Sequence, residues 1–323
     1  MQKHMQLGNL KIRNNLIMAP MAGVSDRFFR DLVWQHGAGL TVSEMVSAKS
    51  IVYGNKNTLR LMENDGAMRP WSIQFFGHEP DILAEAIKRI DDHFPTVKYD
   101  IVDINMGCPM PKIVKNGEGA ALMQNPLLAG QLIESAVKAS PRPVTVKIRK
   151  GFTPATANAA EMAHVAQESG AAAVVVHGRT RDQYYAGEAD WGAIAAVKQA
   201  VKIPVIGNGD IFSPEAAIKR LETSGCDGLM FARGAMGNPW LFSRTLAYLE
   251  TGALPPPPTQ AQIIDTAIAH LRAVAAHPHA RIEEMRKHIQ WYTKGMYGSA
   301  NIRLRVNKAS TAEAMEGLLR ELI

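Results

Sequence analysis

The sequence predicts an α/β fold, a TIM-type (β/α)8 barrel followed by a small all-helical C-terminal domain. Three observations carry this reading. Eight short β-branched or apolar runs recur along the first 235 residues. Helix signals fill most of the intervals between them. After Pro255-Pro256-Pro257-Pro258 no further strand candidate follows. Strands alternating with helices indicate a parallel sheet, and eight such units in this length suit a closed barrel.

The strand runs fall at 16–19, 40–43, 71–75, 101–105, 144–148, 174–177, 205–207 and 228–232. Between them, Ile82, Leu83, Ala86, Ile87 and Ile90 recur at helical spacing, and 126–139 and 159–169 follow the same pattern. Ser213-Pro214 reads as an N-cap followed by proline at the first helical position. Gly37, Gly170 and Gly225 sit where C-cap glycines belong. An open doubly wound sheet would carry G-x-G-x-x-G after its first strand. Pro20-Met21-Ala22-Gly23 stands there instead. The barrel is expected over 1–252, a stiff extended linker over 253–258 and a helical domain over 259–323. In that last part Ile263, Ile264, Ala267, Ile268 and Leu271 form one apolar stripe. Ile289, Trp291 and Tyr292 suggest a second, and Met315, Leu318, Leu319 and Leu322 a third.

Composition narrows the classes. The 323 residues are 46% hydrophobic and 20% charged, which excludes a disordered chain. Apolar runs such as 171–176 fall far short of the roughly 18 to 20 residues of a membrane helix. The opening residues show neither a long apolar core nor an A-x-A site, so no signal peptide is expected. Two cysteines exclude a disulfide framework and a four-cysteine zinc site. No metal is expected, and a reduced, cytoplasmic protein is. The net charge of +6 is compatible with a polyanionic partner without requiring one. No membrane and no stable protein partner are implied.

Chemistry in such a barrel sits at the C-terminal strand ends. Polar residues cluster there: Ser43-Glu44, Gln74, Asn105 to Pro109, Lys147 and Arg149, His177 to Arg179, Asn208-Gly209-Asp210 and Arg233-Gly234. Six or seven such ends together point to a polar ligand over the barrel mouth. The glycine turns after the last two strands, with Arg233, suit a phosphate, although tight turns alone would also use glycine. Lys147 lies between Val146 and Ile148. Inside a barrel it must pair with an anion or lose its proton, as a Schiff-base lysine or as a donor to an electron-rich ring. His177 suits donation to a ligand oxygen or a structural role. Gln74 suits the edge of a heterocycle or a buried backbone group. Cys108, in a Gly-Cys-Pro loop, suits a general acid or a nucleophile. Cys226 lies at the opposite end of the barrel and reads as a packed thiol.

Taken together, these segments resemble the tRNA-dihydrouridine synthases. The likeness is carried by Ala19-Pro20-Met21-Ala22-Gly23-Val24-Ser25-Asp26 and by Asp103-Ile104-Asn105-Met106-Gly107-Cys108-Pro109. Val176-His177-Gly178-Arg179-Thr180, Ile206-Gly207-Asn208-Gly209-Asp210-Ile211 and Ala232-Arg233-Gly234-Ala235 continue it, in register from about residue 7 to about residue 305. Glu44-Met45 and the run from Arg286 to Tyr292 look most like the bacterial B-type branch, with the C-type branch a near neighbour. The resemblance implies FMN as a tightly bound cofactor, NADPH as reductant and a tRNA D-loop uridine as substrate. It implies D-loop position 17 for the B-type branch and position 16 for the C-type. By the same resemblance, Pro20, Met21, Ala22, Gln74, Lys147, His177, Asn208, Gly209, Asp210, Ala232 and Arg233 align with flavin contacts. Cys108 aligns with the proton donor, and Asn105 and Arg179 with residues near the uracil.

Residues 281–308 carry seven Lys or Arg against Glu283 and Glu284, +5 of the chain's +6. This concentration suits an RNA backbone, which makes Arg286, Lys287, Arg303 and Arg305 candidate tRNA contacts. Trp291 and Tyr292, interleaved with them, read as local core. Three alternatives stand beside this reading. A small-molecule flavoenzyme of the dihydroorotate dehydrogenase type shares the barrel and the pyrimidine chemistry but needs no basic helical domain. A non-catalytic tRNA-binding protein needs no proton donor. A Schiff-base aldolase using Lys147 would be colourless.

Overall fold

The computed structural model describes residues 4–64, 66, 68–279 and 281–323. The first three residues of the opening segment, read above for a signal peptide, lie outside them. The chain starts with a hairpin of β1 (Met5–Leu7) and β2 (Leu10–Ile12). Eight parallel strands follow: β3 (Leu16–Met18), β4 (Leu40–Ser47), β5 (Trp71–Phe76), β6 (Ile101–Met106), β7 (Val144–Gly151), β8 (Ala173–Thr180), β9 (Val205–Asn208) and β10 (Gly228–Phe231). They pair in sequence order, and β10 closes on β3, giving the expected TIM barrel. All eight anticipated strands are present.

Helices α1 (Arg27–Gln35), α2 (Ala48–Val52), α3 (Pro80–His93), α4 (Pro111–Lys115), α5 (Pro126–Ala139), α6 (Ala159–Glu168), α7 (Trp191–Ala200), α8 (Pro214–Ser224) and α9 (Trp240–Thr251) occupy the connections. Their caps follow local chemistry. Ser213 accepts from the Ala216 N–H with Pro214 behind it, and Gly225 ends α8 in the left-handed region at φ 65°. The short α2 and α4 and the opening hairpin were not anticipated, since five-residue helices and three-residue strands carry too little periodicity to register.

Two apolar shells hold the barrel. One lies between strands and helices, with Ile73, Phe75, Val102, Ile104, Val146, Ile148, Val174 and Phe231 among its buried members. The other fills the lower barrel interior with Ile17, Leu40, Val42, Ile101, Ala173, Val175, Ile206 and Met230. The same cluster contains Met5, Leu7 and Ile12, so the hairpin plugs the N-terminal end. Cys226 is buried and donates to the Gly228 carbonyl at 3.2 Å, as a packed thiol would.

After α9, Pro255 accepts two hydrogen bonds from Arg244 within a stretch without regular structure. Four helices follow, α10 (Gln260–Ala275), α11 (Met285–Tyr292), α12 (Ser299–Val306) and α13 (Ala312–Arg320). They surround their own core of Ile264, Leu271, Ile289, Ile302, Met315 and Leu319. Phe28, Leu32 and Trp240 from the barrel side pack against it. Tyr292 is buried there and meets His270 Nδ1 at 3.3 Å, and Trp291 packs against the barrel core. Tyr292 is a core residue, and Trp291 is half-buried against the barrel. Among the described residues no helix is long and apolar enough to cross a membrane.

The plug generates a prediction. Leu7 is fully buried at the barrel floor. Leu7→Ala should cost about 2–5 kcal/mol, seen as a lower urea midpoint with an unchanged slope. An unchanged midpoint would show that the hairpin does not seal the barrel.

Candidate active site

Strand alternation decides what faces the barrel axis. On β6, Val102, Ile104 and Met106 join the outer shell, so Asp103 and Asn105 point inward. On β7 the same parity sends Thr145, Lys147 and Arg149 inward, and on β8 it does so for His177. The C-terminal strand ends open onto a cavity of about 610 Å³. Pro20, Met21, Lys147, His177, Asn208, Gly209, Asp210, Ala232 and Arg233 lie on its wall. The structure therefore brings together nine of the eleven residues aligned with flavin contacts. Exposed Ala22 and buried Gln74 stand off the wall.

The cavity is electropositive. Lys147 Nζ donates to Asn208 Oδ1 at 3.3 Å, and Asn208 in turn donates to the Met230 carbonyl at 2.7 Å. That contact leaves ammonium protons free for a ligand. Burial, helped by Arg149, pushes the Lys147 pKa down to about 8, against the pull of Asp103 and Cys108. Burial and the surrounding cations push His177 well below its ordinary value, so at neutral pH it is an uncharged imidazole.

The glycine turns are held by one carboxylate. Asp210, at φ 51°, accepts from Arg179 Nη1 and Nη2 at 2.9 and 2.7 Å, from Arg233 Nη2 at 2.9 Å and from the Ala189 N–H at 2.8 Å. Burial alone would raise its pKa, but these donors hold it below the usual carboxylate range. Gly209 stands at φ 133°, where a Cβ would come 2.5 Å from that of Ala189. Arg179 is buried behind the cavity. Its remaining donors reach the carbonyls of Ala186 and Gly187, which makes it a brace for the 186–189 loop.

Cys108 is half-buried in the loop after β6. Asn105 Oδ1 accepts from the Gly107 and Cys108 N–H groups at 3.1 and 2.9 Å. Asn105 Nδ2 donates to Gln74 Oε1 at 2.8 Å, and Gln74 Nε2 donates to Asp103 at 2.6 Å. Asn105 and Gln74 are thus committed to each other and to the Cys108 loop. Burial raises the Cys108 thiol above its ordinary value, although Arg149 and Lys147 pull the other way.

Some site residues have no role in the sequence reading: Arg149 stands there only as a polar strand-end residue, and Tyr185 and Phe212 do not figure in it. Arg149 lines the cavity and ties two loops together, donating to the carbonyls of Gly107, Thr180 and Tyr184 at 2.7 to 2.9 Å. It shares Lys147's parity, and that was the available signal. Tyr185 and Phe212 rise at the rim beside Arg233. They lie in loops where no periodicity points to them.

The helical part meets the mouth at Lys287. Its Nζ lies 3.2 Å from where a Cβ on Gly23 would stand. The Gly23 N–H donates to Glu44 Oε2 at 2.5 Å, so Lys287, Glu44 and the Pro20–Gly23 turn share one corner. The other three basic candidates are placed differently. Arg286 donates to the Ala309 carbonyl at 2.8 Å and Arg303 to that of Thr293 at 3.5 Å, both within the helical part. Arg305 is exposed and paired with Glu321. A second cleft of about 580 Å³, lined by Asp26, Glu44, Arg60, Arg281, Glu284 and His288, runs along the seam between barrel and helices.

A protonated Lys147 has a consequence for binding. With no further anion beside it, it loses its proton above about pH 8. An anionic ligand that needs the ammonium must then bind together with a proton. Affinity for such an anion, with FMN as the probe, should be flat below pH 8 and fall by about tenfold per pH unit above it. Fluorescence titration of the apoprotein from pH 6.5 to 9.5 checks this (on the order of one proton taken up per ligand). Lys147→Met should bind more weakly and show no such fall. A slope that survives in this variant would assign the proton elsewhere.

Comparison with known proteins is consistent with this geometry. The family model described as Dihydrouridine synthase (Dus) matches residues 17–322. A "tRNA-dihydrouridine synthase B" of Xanthomonas campestris pv. campestris is 43% identical over 98% of this chain and 95% of its own length. Its counterpart of the same name in Pseudomonas putida is 39% identical over 96% and 91%. A "Probable tRNA-dihydrouridine synthase" of Rickettsia bellii is 42% identical over 94% and 92%. Among solved structures, morphinone reductase in complex with tetrahydroNAD superposes with a TM-score of 0.54 at 16% identity, covering 81% of this chain and 93% of that one. Histamine dehydrogenase from Rhizobium sp. 4-9 gives 0.56 at 14%, covering 77% and 47%. At such identities these two likenesses concern the barrel fold alone.

Proposed function

Since the chain belongs to the dihydrouridine synthase family, and to its B-type branch, we propose that it reduces a D-loop uridine of tRNA, position 17, to 5,6-dihydrouridine. The observation that carries the proposal is an electropositive cavity whose wall residue Arg149 also holds the Cys108 loop through the Gly107 carbonyl. The cavity residues fit FMN. Arg233 and the Gly209 and Gly234 turns suit a phosphate, and Lys147 offers ammonium protons that its contact with Asn208 does not use. Lys147, His177, Asn208 and the Arg233 turn would hold FMN there, and the chemistry it would supply, once reduced by NADPH, is hydride donation to C6 of the uracil.

The chain's own groups do the rest. Lys147 and neutral His177 present a cation and a polar ring to the cofactor's electron-rich edge. Hydride arriving at C6 leaves an enolate spread over C5, C4 and O4 of the base, and C5 must then take a proton. Cys108 is suited to give it. Its pKa is raised by burial, so it holds its proton until the base develops negative charge. Arg149 and Lys147 nearby favour the thiolate that remains. The uridine must leave its stack to reach the pocket, at a cost of a few kcal/mol that is least for an unpaired base. Residues 259–323 act as the tRNA-binding domain, and Lys287, whose Nζ lies beside Gly23, suits an RNA phosphate. The cytoplasm, where tRNA and NADPH are at hand, is the proposed place of action. A Schiff-base role for Lys147 is disfavoured by the thiol beside it, which an aldolase does not need.

Purified protein should be yellow and should release FMN on heating. With NADPH it should form dihydrouridine in unmodified tRNA and not in free uridine. Cys108→Ala should keep the flavin spectrum and its reduction by NADPH while dihydrouridine formation falls about 10²- to 10⁴-fold. Colourless protein that takes up no FMN, or near-normal single-turnover yield from Cys108→Ala, would reject the respective part of the reading.

The basic face has its own test. Each phosphate neutralised steepens the loss of affinity, with log K falling by roughly 0.7 to 0.9 per tenfold rise in salt. Lys287→Glu should weaken tRNA binding and lower this slope while leaving flavin reduction intact. Arg305→Glu should do less, because that guanidinium is already paired with Glu321. Equal effects of the two, or none, would place the tRNA on another face. Removing residues 255–323 is a poorer test, since it would bare Phe28, Leu32 and Trp240.

A further inference from the structure

Asp103 is a carboxylate buried inside the barrel, off the cavity wall. We infer that Asp103 is a positioning residue for the reaction, fixing through Gln74 and then Asn105 the loop that presents Cys108. The inference deepens the reading of Cys108 as proton donor and rests on it.

The geometry is a single line of hydrogen bonds across β5, β6 and β7. Gln74 pairs in register with Asp103, and Asp103 with Thr145, so all three meet in one layer of the barrel. Asp103 Oδ1 accepts from the Thr145 hydroxyl at 2.6 Å, and Oδ2 accepts from Gln74 Nε2 at 2.6 Å. Gln74 Oε1 then accepts from Asn105 Nδ2 at 2.8 Å. Asn105 Oδ1, one layer higher, accepts from the Gly107 and Cys108 N–H groups.

Two amides stand in the middle of this line. The oxygen and nitrogen ends of an amide are nearly alike in size, so packing cannot choose between the two orientations. Only the ends of the line can. At one end, backbone N–H groups can only donate. At the other, an ionised carboxylate can only accept. The two ends demand the same orientation of both amides, and the line is consistent throughout. An apolar residue in place of Asp103 would leave the buried Gln74 Nε2 donor without its acceptor, which drives Gln74 out of this position and takes from Asn105 its partner in turn. Gly119 closes the other side of the loop. It has φ 59°, and a Cβ there would stand 2.9 Å from the Cys108 carbonyl oxygen. Cys108 is therefore held between a fixed amide and a close backbone.

Burial raises Asp103 to about pH 6 despite its hydrogen bonds from Thr145 and Gln74, with Lys147 as the nearby cation. Protonation would not reverse the line. The proton can sit on Oδ1, where the Thr145 hydroxyl can turn to accept it, and Oδ2 still accepts from Gln74. By the same argument Asp103→Asn keeps the line, with its nitrogen toward Thr145 and its oxygen toward Gln74. Asp103→Leu breaks it, and so does Gln74→Leu from the other side.

The experiment is alkylation of full-length protein by iodoacetamide without tRNA, with modification at Cys108 located by peptide mass. Cys226 is buried and serves as the slow internal reference. Asp103→Asn should alkylate within about twofold of the parent. Asp103→Leu and Gln74→Leu should each alkylate about tenfold faster, as the loop opens, and the double variant no faster than either alone. In the tRNA reaction, Asp103→Leu should lower kcat by about 10²-fold, the effect of a misplaced reacting group, with KM for tRNA unchanged. Parent-like alkylation by Asp103→Leu, additive effects in the double variant, or an Asp103→Asn as altered as Asp103→Leu would overturn the inference. The last result would make charge, and not amide orientation, the cause. Should Asp103→Leu not fold, Gln74→Leu and Gln74→Met carry the same alkylation test. If the parent protein makes no dihydrouridine, the proposed function fails while the alkylation result still decides the positioning role.

Discussion

The inward faces of β5 to β9 carry Gln74, Asp103, Asn105, Thr145, Lys147, Arg149, His177 and Asn208, and the ring that holds them is closed. A polar group there cannot turn to solvent, so it must find its partner in the barrel or in a ligand. Much of the upper barrel follows from that constraint. The carboxylate of Asp103 is used by Thr145 and Gln74, and the amide of Asn208 by Lys147 and Met230. What the barrel leaves unmet is mainly positive. Lys147 has protons to spare, and Arg149 and Arg233 stand on the same wall. The cavity is shaped for an anion because its own acids are already occupied.

Asp210 shows how one acid organises several loops. It gathers Arg179, Arg233 and the Ala189 N–H on a backbone in the left-handed region. Strain of that kind persists only where surroundings over-determine it. Here two guanidinium groups and a close glycine do so. Arg179 works from behind the wall, and its value to the site lies in the position of Asp210 and the 186–189 loop.

The helical part joins the barrel through packing and through charge. Phe28, Leu32 and Trp240 complete its core from the barrel side. Asp26, the N-cap of α1, faces His288 Nε2 at 3.3 Å. Burial would raise Asp26, yet His288 and His270 hold it well below the usual carboxylate range. These contacts fix the corner where Lys287, Glu44 and the Pro20–Gly23 turn meet. A charge borne on the last quarter of the chain thereby stands at the mouth formed by the first.

The strands, most of the helices and the polar character of the strand ends were all legible in the sequence, because they depend on local periodicity and capping. Eight apolar runs read as strands because helix signals fill most of the intervals between them. The sequence set Lys147, His177 and Asn208 at or near strand ends, and in the structure they line one cavity. Tertiary structure decided what those side chains touch. Nothing in the order Asp103-Ile104-Asn105 says that Gln74, 29 residues before Asp103, would stand between the two. Nor does the sequence separate Arg179, spent on Asp210, from Arg233, which also reaches the cavity wall. The count of charges in residues 281–308 was plain, yet only the packing of α11 turned Lys287 toward the mouth and Arg286 toward Ala309. Local sequence sets the direction of a side chain relative to its own element. Its partners are set by how distant elements close on one another, and that depends on the fit of whole surfaces.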